Sequence, residues 1–240
     1  MIGRVVLAAL LAGIAAGFIM GAIQHLRLTP FIIAAEGFEA ASGTGHTHDH
    51  AAGANAGADH EHTHDHGEGW APADGWQRTL ATTLTAVMTG AGFAAVLAAV
   101  SLISGLPITR ANGMVWGLCG FFAVTLAPSM GLPPELPGMP AGDLLARQIW
   151  WLGTIAATGA GIFIIATRSE VWAMALAVVL IGLPHIIGAP AAIQAESAVP
   201  PGLAAAFAAN AIAANAIFWL LIGQFLGIAL TRTAKDVYAT

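Results

Sequence analysis

Seven of this chain's nine histidines fall in one short stretch, and their types and spacing are those of metal ligands. His46, His48 and His50 stand in HTHDH, His62, His64 and His66 stand in a second HTHDH, and His60 lies between them. Asp49, Asp59, Glu61 and Asp65 are interleaved with them. Imidazole nitrogen and carboxylate oxygen together bind first-row divalent ions such as Zn, Ni, Co and Cu. The linking run AAGANAGADHE is too small and polar to pack, so the stretch reads as a flexible, His-rich metal-binding tract. The competing reading is a solvated polar loop in which histidine supplies only solubility, and the repetition of HTHDH weighs against it. The tract points to metal and leaves the choice among Co, Ni and Zn open, because affinity order and geometry do not follow from it.

Two further histidines stand beside apolar blocks. His25 follows the first and His185 lies near the end of a later one. A charge at mid-helix costs about 2.5–3.5 kcal/mol in a bilayer, so ionisable groups there usually mark function. The alternative is a neutral histidine bonded to a neighbouring helix. With Glu36, Glu39, Asp143 and Glu196 on the same side, His25 and His185 could form a path that takes metal from the tract. Solvated loop carboxylates are the plainer reading of those acids. If such a handover exists, His185→Ala is expected to be the more damaging single change. Met130 and Met139 suit either a soft ion or packing, and Asn210, Asn215 and Gln224 read as hydrogen-bond partners between helices.

Composition indicates what must position these groups. Of 240 residues, 57% are hydrophobic and 9% charged, with a mean hydropathy of +0.76, against about a quarter charged in ordinary soluble chains. The apolar residues fall in long blocks, the pattern of a polytopic all-α membrane protein. Six spans are expected, at Val5–Ile23, Thr79–Ile103, Gly113–Ala127, Ile149–Thr167, Val171–Ile187 and Leu203–Leu230, the third and fifth being short. The division is residues 1–27 as the first span, 28–78 as an outer loop carrying the tract (46–66), and 79–240 as a helical bundle with a Pro-rich loop at 128–140. The first block also has the outline of a signal peptide, but it is long for one and runs on into Gln24, His25 and Leu26. Trp70 and Trp76 suit the headgroup level, and Gly90 and Gly92 suggest a face packed closely on another helix.

Charge and cysteine usage exclude several classes. Cys119 is the single cysteine, which excludes internal disulfides and Cys-rich zinc sites. Lys235 is the single lysine and stands in no P-loop motif, so nucleotide hydrolysis by that route is excluded. Eight basic residues in all make a nucleic-acid role implausible. With the N-terminus inside, five of the eight basic residues are cytoplasmic, while eleven of the thirteen acidic ones and the histidines gather outside. Such an acidic, His-rich face concentrates divalent cations.

The ordered motifs resemble the CbtA family, predicted subunits of bacterial cobalt transporters. The resemblance rests on Thr29-Pro30, the His-rich tract, WAPADGWQRT (Trp70–Thr79) and APSMGLPPELPGMPAGDLLARQIWW (Ala127–Trp151), then LPHIIGAP (Leu183–Pro190) and Phe218-Trp219. It implies a multi-pass component of cobalt uptake in a bacterial inner membrane, associated with cobalamin synthesis. It also implies a partner, the small single-span, His-containing CbtB-like companion. No permanent cofactor is expected, the metal being cargo, with Co²⁺ foremost. Family members are usually given five spans, so one short block here could be re-entrant. Two other readings are a membrane-anchored metal sensor or accessory protein without transport, and a haem protein with His25 and His185 as axial ligands.

Overall fold

The computed structural model describes residues 2–41, 73, 75–192 and 197–238. Among these, six helices and no strand occur: α1 (Ile2–Ala41), α2 (Trp76–Ser104), α3 (Gly113–Ser129), α4 (Leu144–Thr167), α5 (Val171–Ile187) and α6 (Pro201–Tyr238). Four of them, α1, α2, α4 and α6, are long and apolar enough to cross a membrane, whereas α3 and α5 are shorter. At 1.5 Å per residue, 17 residues reach only about 25 Å of a hydrocarbon core of about 30 Å. The two short helices are the two short blocks of the sequence. Proline runs stop α3, and Gly188, with φ 88, stops α5 in a conformation that a residue bearing Cβ seldom adopts.

The chain departs from the sequence reading in its first helix. Residues 29–41, expected in the outer loop, continue α1 as helix beyond Arg27. Pro30 would ordinarily break this helix, since it lacks an N–H and its ring collides with the carbonyl four residues back. Residues Gln24–Leu28 form a wider π-turn, with the Thr29 N–H donating to the Gln24 carbonyl. The widened turn absorbs the proline and lets α1 run on. Pro128 of α3 is met in the same way, by a π-turn over Phe122–Leu126.

Small residues draw the helices together. Gly13, Gly17 and Gly21 of α1 lie against the backbone of Gly90 and Val87 and against Thr83 in α2. Gly113 and Gly117 of α3 meet Gly223 and Trp219 of α6 in the same manner. Lipid offers helices no hydrophobic drive to associate, so close backbone approach and van der Waals contact must supply it. Trp219 joins the two seams. It is 1% exposed, its ring stacks on Phe93 at 4.6 Å, and its indole N–H donates to Thr125 Oγ1 at 3.1 Å. Helix α5 packs on α4, and this hairpin adjoins the rest through α3.

The antiparallel packing gives the bundle two distinct ends. Gly138 of the Pro-rich loop lies beside Glu39 of α1, Gly131 beside Trp150 and Ala189, and Phe31 beside Phe207. At the opposite end the Arg110 N–H donates to Thr231 Oγ1. Residues 42–72, with the histidine tract at 46–66, lie outside the described residues. They leave the chain after Ala41 and rejoin it before Ala73, both at the first of these ends, hereafter the tract end.

Candidate functional site

A cleft with a few polar side chains in a largely apolar lining opens at the tract end, where the π-turn of α1 faces the first two turns of α2. The π-turn places Gln24 and His25 one after the other on a widened arc, and α2 brings Arg78, Thr79 and Thr82 opposite. Two adjoining cavities share Thr29, Arg78 and Thr82. One, about 280 Å³, also contains His25, and the other, about 350 Å³, contains Gln24 and Glu36. Six waters occupy about 180 Å³ at about 30 Å³ each, so either cavity has room for a hydrated divalent ion.

Arg78 lines both cavities. Its guanidinium donates to Glu36 through Nη2 at 2.8 Å and through Nη1 at 3.2 Å, a two-pronged pair. The side chains of the pair remain 26% and 38% exposed, and partly exposed pairs contribute roughly 0.2–1 kcal/mol to stability. The Thr79 hydroxyl donates to the Gly75 carbonyl at 3.1 Å and lies 3.2 Å from His25 Nδ1. This contact engages the Nδ1 edge of the ring, so Nε2 is the His25 nitrogen available to a metal. The Gln24 carbonyl of the main chain receives the Thr29 N–H and, at 3.2 Å, the Thr29 hydroxyl. Its side-chain Oε1, by contrast, is buried without a hydrogen-bond partner. A buried oxygen without a donor costs free energy and calls for an explanation.

The other sequence candidates stand elsewhere. His185 ends α5 against α4, its ring 6.0 Å from that of Trp150, whose Nε1 donates to the Pro184 carbonyl at 3.2 Å. The structure thus sets His25 and His185 on different helix pairs. Glu39 lies against Gly138, its Cβ 3.3 Å from where a Cβ on that glycine would stand. Asp143 caps α4 by accepting the Ala146 N–H at 2.8 Å, which accounts for its carboxylate without metal. Met139 Sδ accepts the Leu136 N–H at 3.3 Å within the Pro-rich loop. Asn210 and Asn215, expected to bond between helices, instead donate to the Ala206 and Ala211 carbonyls of their own helix. Only Gln224 reaches another segment, the Arg110 carbonyl at 3.5 Å. Glu196 and the seven tract histidines, from His46 to His66, lie outside the described residues. Among the described residues, no three of His, Cys, Asp and Glu gather as a metal-holding group.

Sequence reasoning passed over Gln24, Arg78, Thr29 and Thr82 as cleft residues. Gln24 served only to mark the end of an apolar block, and Arg78 only as a charge. The available signal was a polar Gln-His pair six residues before a proline, inside a run long enough to stay helical.

Comparison with known families gives a match over residues 2–231 to the model for CbtA, described as a probable cobalt transporter subunit. No curated protein and no solved structure matches the chain.

Proposed function

Since the chain belongs to the CbtA family of probable cobalt transporter subunits, we propose that it captures divalent cobalt on its histidine–aspartate tract and passes it into the bundle through the cleft. The observation that carries this reading is the cleft's position. Glu36 and Arg78 stand within two turns of the points where residues 42–72 leave and rejoin the helices. Ions held by the tract are therefore concentrated within reach of His25 and Glu36.

The chemistry suits capture followed by release. Conduction needs sites that bind well enough to admit an ion and weakly enough to let it go. Exchangeable imidazole and carboxylate ligands on a polar tract meet the first need, and a cleft with few charged ligands meets the second. The tract end faces the periplasm of a bacterial inner membrane in this reading, which keeps most of the basic residues in the cytoplasm. The companion subunit is a small single-span, His-containing protein of the CbtB kind, and the metal serves cobalamin synthesis.

Uptake of labelled Co²⁺ into proteoliposomes, with and without the companion and with Ni²⁺ and Zn²⁺ as competitors, tests the proposal. Saturable uptake that cobalt competes for best supports it. Metal binding without flux, even with the companion present, turns the protein into a sensor or accessory subunit. Deleting residues 46–66 is expected to raise the half-saturating cobalt concentration while leaving the maximal rate largely intact. Loss of uptake at every concentration would make the tract part of the path itself.

A further inference from the structure

We propose that Arg78 is the resting occupant of a divalent-cation site in this cleft, its guanidinium holding the Glu36 carboxylate until a metal ion takes its place. The purpose assigned to the site rests on the transport reading above, whereas the binding test below does not.

Three features of the cleft converge on this exchange. Glu36 is the one carboxylate among the residues lining either cavity and belongs to the larger of the two, and the Arg78 fork covers both of its oxygens. Gln24 lines the cavity that contains Glu36, and its Oε1 is buried in the cavity wall without a donor. An amide oxygen has only two good partners, a hydrogen-bond donor and a cation. Thr29 and Thr82 line both cavities, and His25 lines the adjoining one. A carboxylate, an amide oxygen, hydroxyls and an imidazole nitrogen make a mixed oxygen–nitrogen set of the kind that borderline divalent ions accept.

The charges account for weak holding. While Arg78 pairs with Glu36 the carboxylate's charge is offset, and an incoming cation meets less negative charge in the cleft. A divalent ion that takes Glu36 displaces a guanidinium tethered in the first turn of α2. The displaced cation stays close to the metal and repels it. The apparent affinity is lowered by the fraction of time that Arg78 occupies the carboxylate. Such a site fills only when metal is concentrated beside it and empties readily.

The pair Glu135–Arg147 supplies the comparison. It also lies at the tract end, with Nη2 to Oε2 at 2.7 Å, but it ties the Pro-rich loop to α4 and lines neither cavity. A structural bridge and a cation site can therefore be separated by variants of one kind.

The test is equilibrium Co²⁺ binding by the purified full-length chain with its seven tract histidines changed to asparagine, so that the cleft is read alone. Arg78→Gln is expected to tighten binding about tenfold and Glu36→Gln to weaken it by at least as much. Arg147→Gln is expected to leave it within about twofold, and Arg78→Lys, which keeps a charge but loses the fork, to fall between wild type and Arg78→Gln. Unfolding midpoints of all four variants identify any that have lost the fold, and Arg78→Lys remains informative if Arg78→Gln is such a variant. Weakening in both Arg78→Gln and Glu36→Gln would make the pair a structural bridge and overturn the proposal. Equal tightening by Arg147→Gln would reduce it to a general effect of surface charge and overturn it too. Opposite shifts in a protein that moves no cobalt would uphold the site and discard the transport reading.

Discussion

At the scale of single residues, the two lone histidines have different surroundings. His25 has Nδ1 engaged by Thr79 and its ring in the cleft, whereas His185 rests on Trp150 at the end of a hairpin. On the handover idea, the sequence reading expects His185→Ala to be the more damaging change. The surroundings reverse that order. His25→Ala is expected to raise the half-saturating cobalt concentration for uptake about tenfold, the effect of about 1.4 kcal/mol. His185→Ala is expected to change it by less than about threefold. Uptake curves for the two variants in proteoliposomes check this, and a larger loss in His185→Ala would place the path along the α4–α5 hairpin instead. Trp219 shows the other use of a polar side chain in this protein. Its N–H bond to Thr125 and its stack on Phe93 make it a packing hub rather than a ligand.

At the scale of elements, the glycine seams decide which helices pair. A Cβ on Gly17 would meet the Val87 backbone and stand 2.7 Å from the Ala86 carbonyl oxygen, and neither can move aside as a flexible side chain would. Gly17→Leu must therefore part α1 from α2, and with them the two walls of the cleft. Overpacking of this kind costs about 1–3 kcal/mol, more where backbone is met. Its expected signature is a lowered unfolding midpoint in detergent together with lost cobalt binding. Gly92 has nothing within 4 Å of an added Cβ, so Gly92→Ala is expected to change stability by no more than about 0.5 kcal/mol. A comparable loss in Gly92→Ala would mean that this face of α2 is covered by something besides lipid. The π-turns belong to the same scale. Each precedes a proline by two residues, and the first one turns Gln24 and His25 toward α2.

At the scale of the whole molecule, the helices alternate so that every long loop except one short turn and the 105–112 connection gathers at the tract end. Four helices are long and apolar enough to cross a membrane, and the alternation predicts six crossings, with the two short helices as the other two. Cysteines introduced one at a time in a Cys119→Ala background check it. Cysteines at Ala73, Gly138 and Ala189 are expected to react with a membrane-impermeant thiol reagent from one side, and those at Leu106 and Ser169 from the other. Reaction of a cysteine at Ser169 from the tract end would make α4 and α5 a re-entrant pair and reduce the crossings. The burial of the helices is uneven. Only 17% of the apolar stretch of α4 is buried, against 44% for α1 and α6. The α4–α5 hairpin thus presents its apolar side to lipid or to a companion, while α1, α2, α3 and α6 form the tightly seamed core.

Hydropathy blocks and proline runs were sufficient to read an all-α membrane bundle, six apolar helices and the identity of the two short ones. These features are local, because a residue's transfer free energy and a proline's missing N–H act wherever the chain places them. The helical state of residues 29–41 was not legible, since Pro30 signals a stop and only the wider turn upstream cancels that signal. The likeness of Gly90 to Gly92 in sequence was equally uninformative, since one meets Gly13 across a seam and the other faces open space. The pairing of Glu36 with Arg78, 42 positions apart, and the burial of Gln24 Oε1 depend on how α1 crosses α2. Which carboxylates cap helices, which staple loops and which line a cleft was therefore decided by tertiary packing, because charge and ligand type are properties of a residue whereas partnership is a property of the fold.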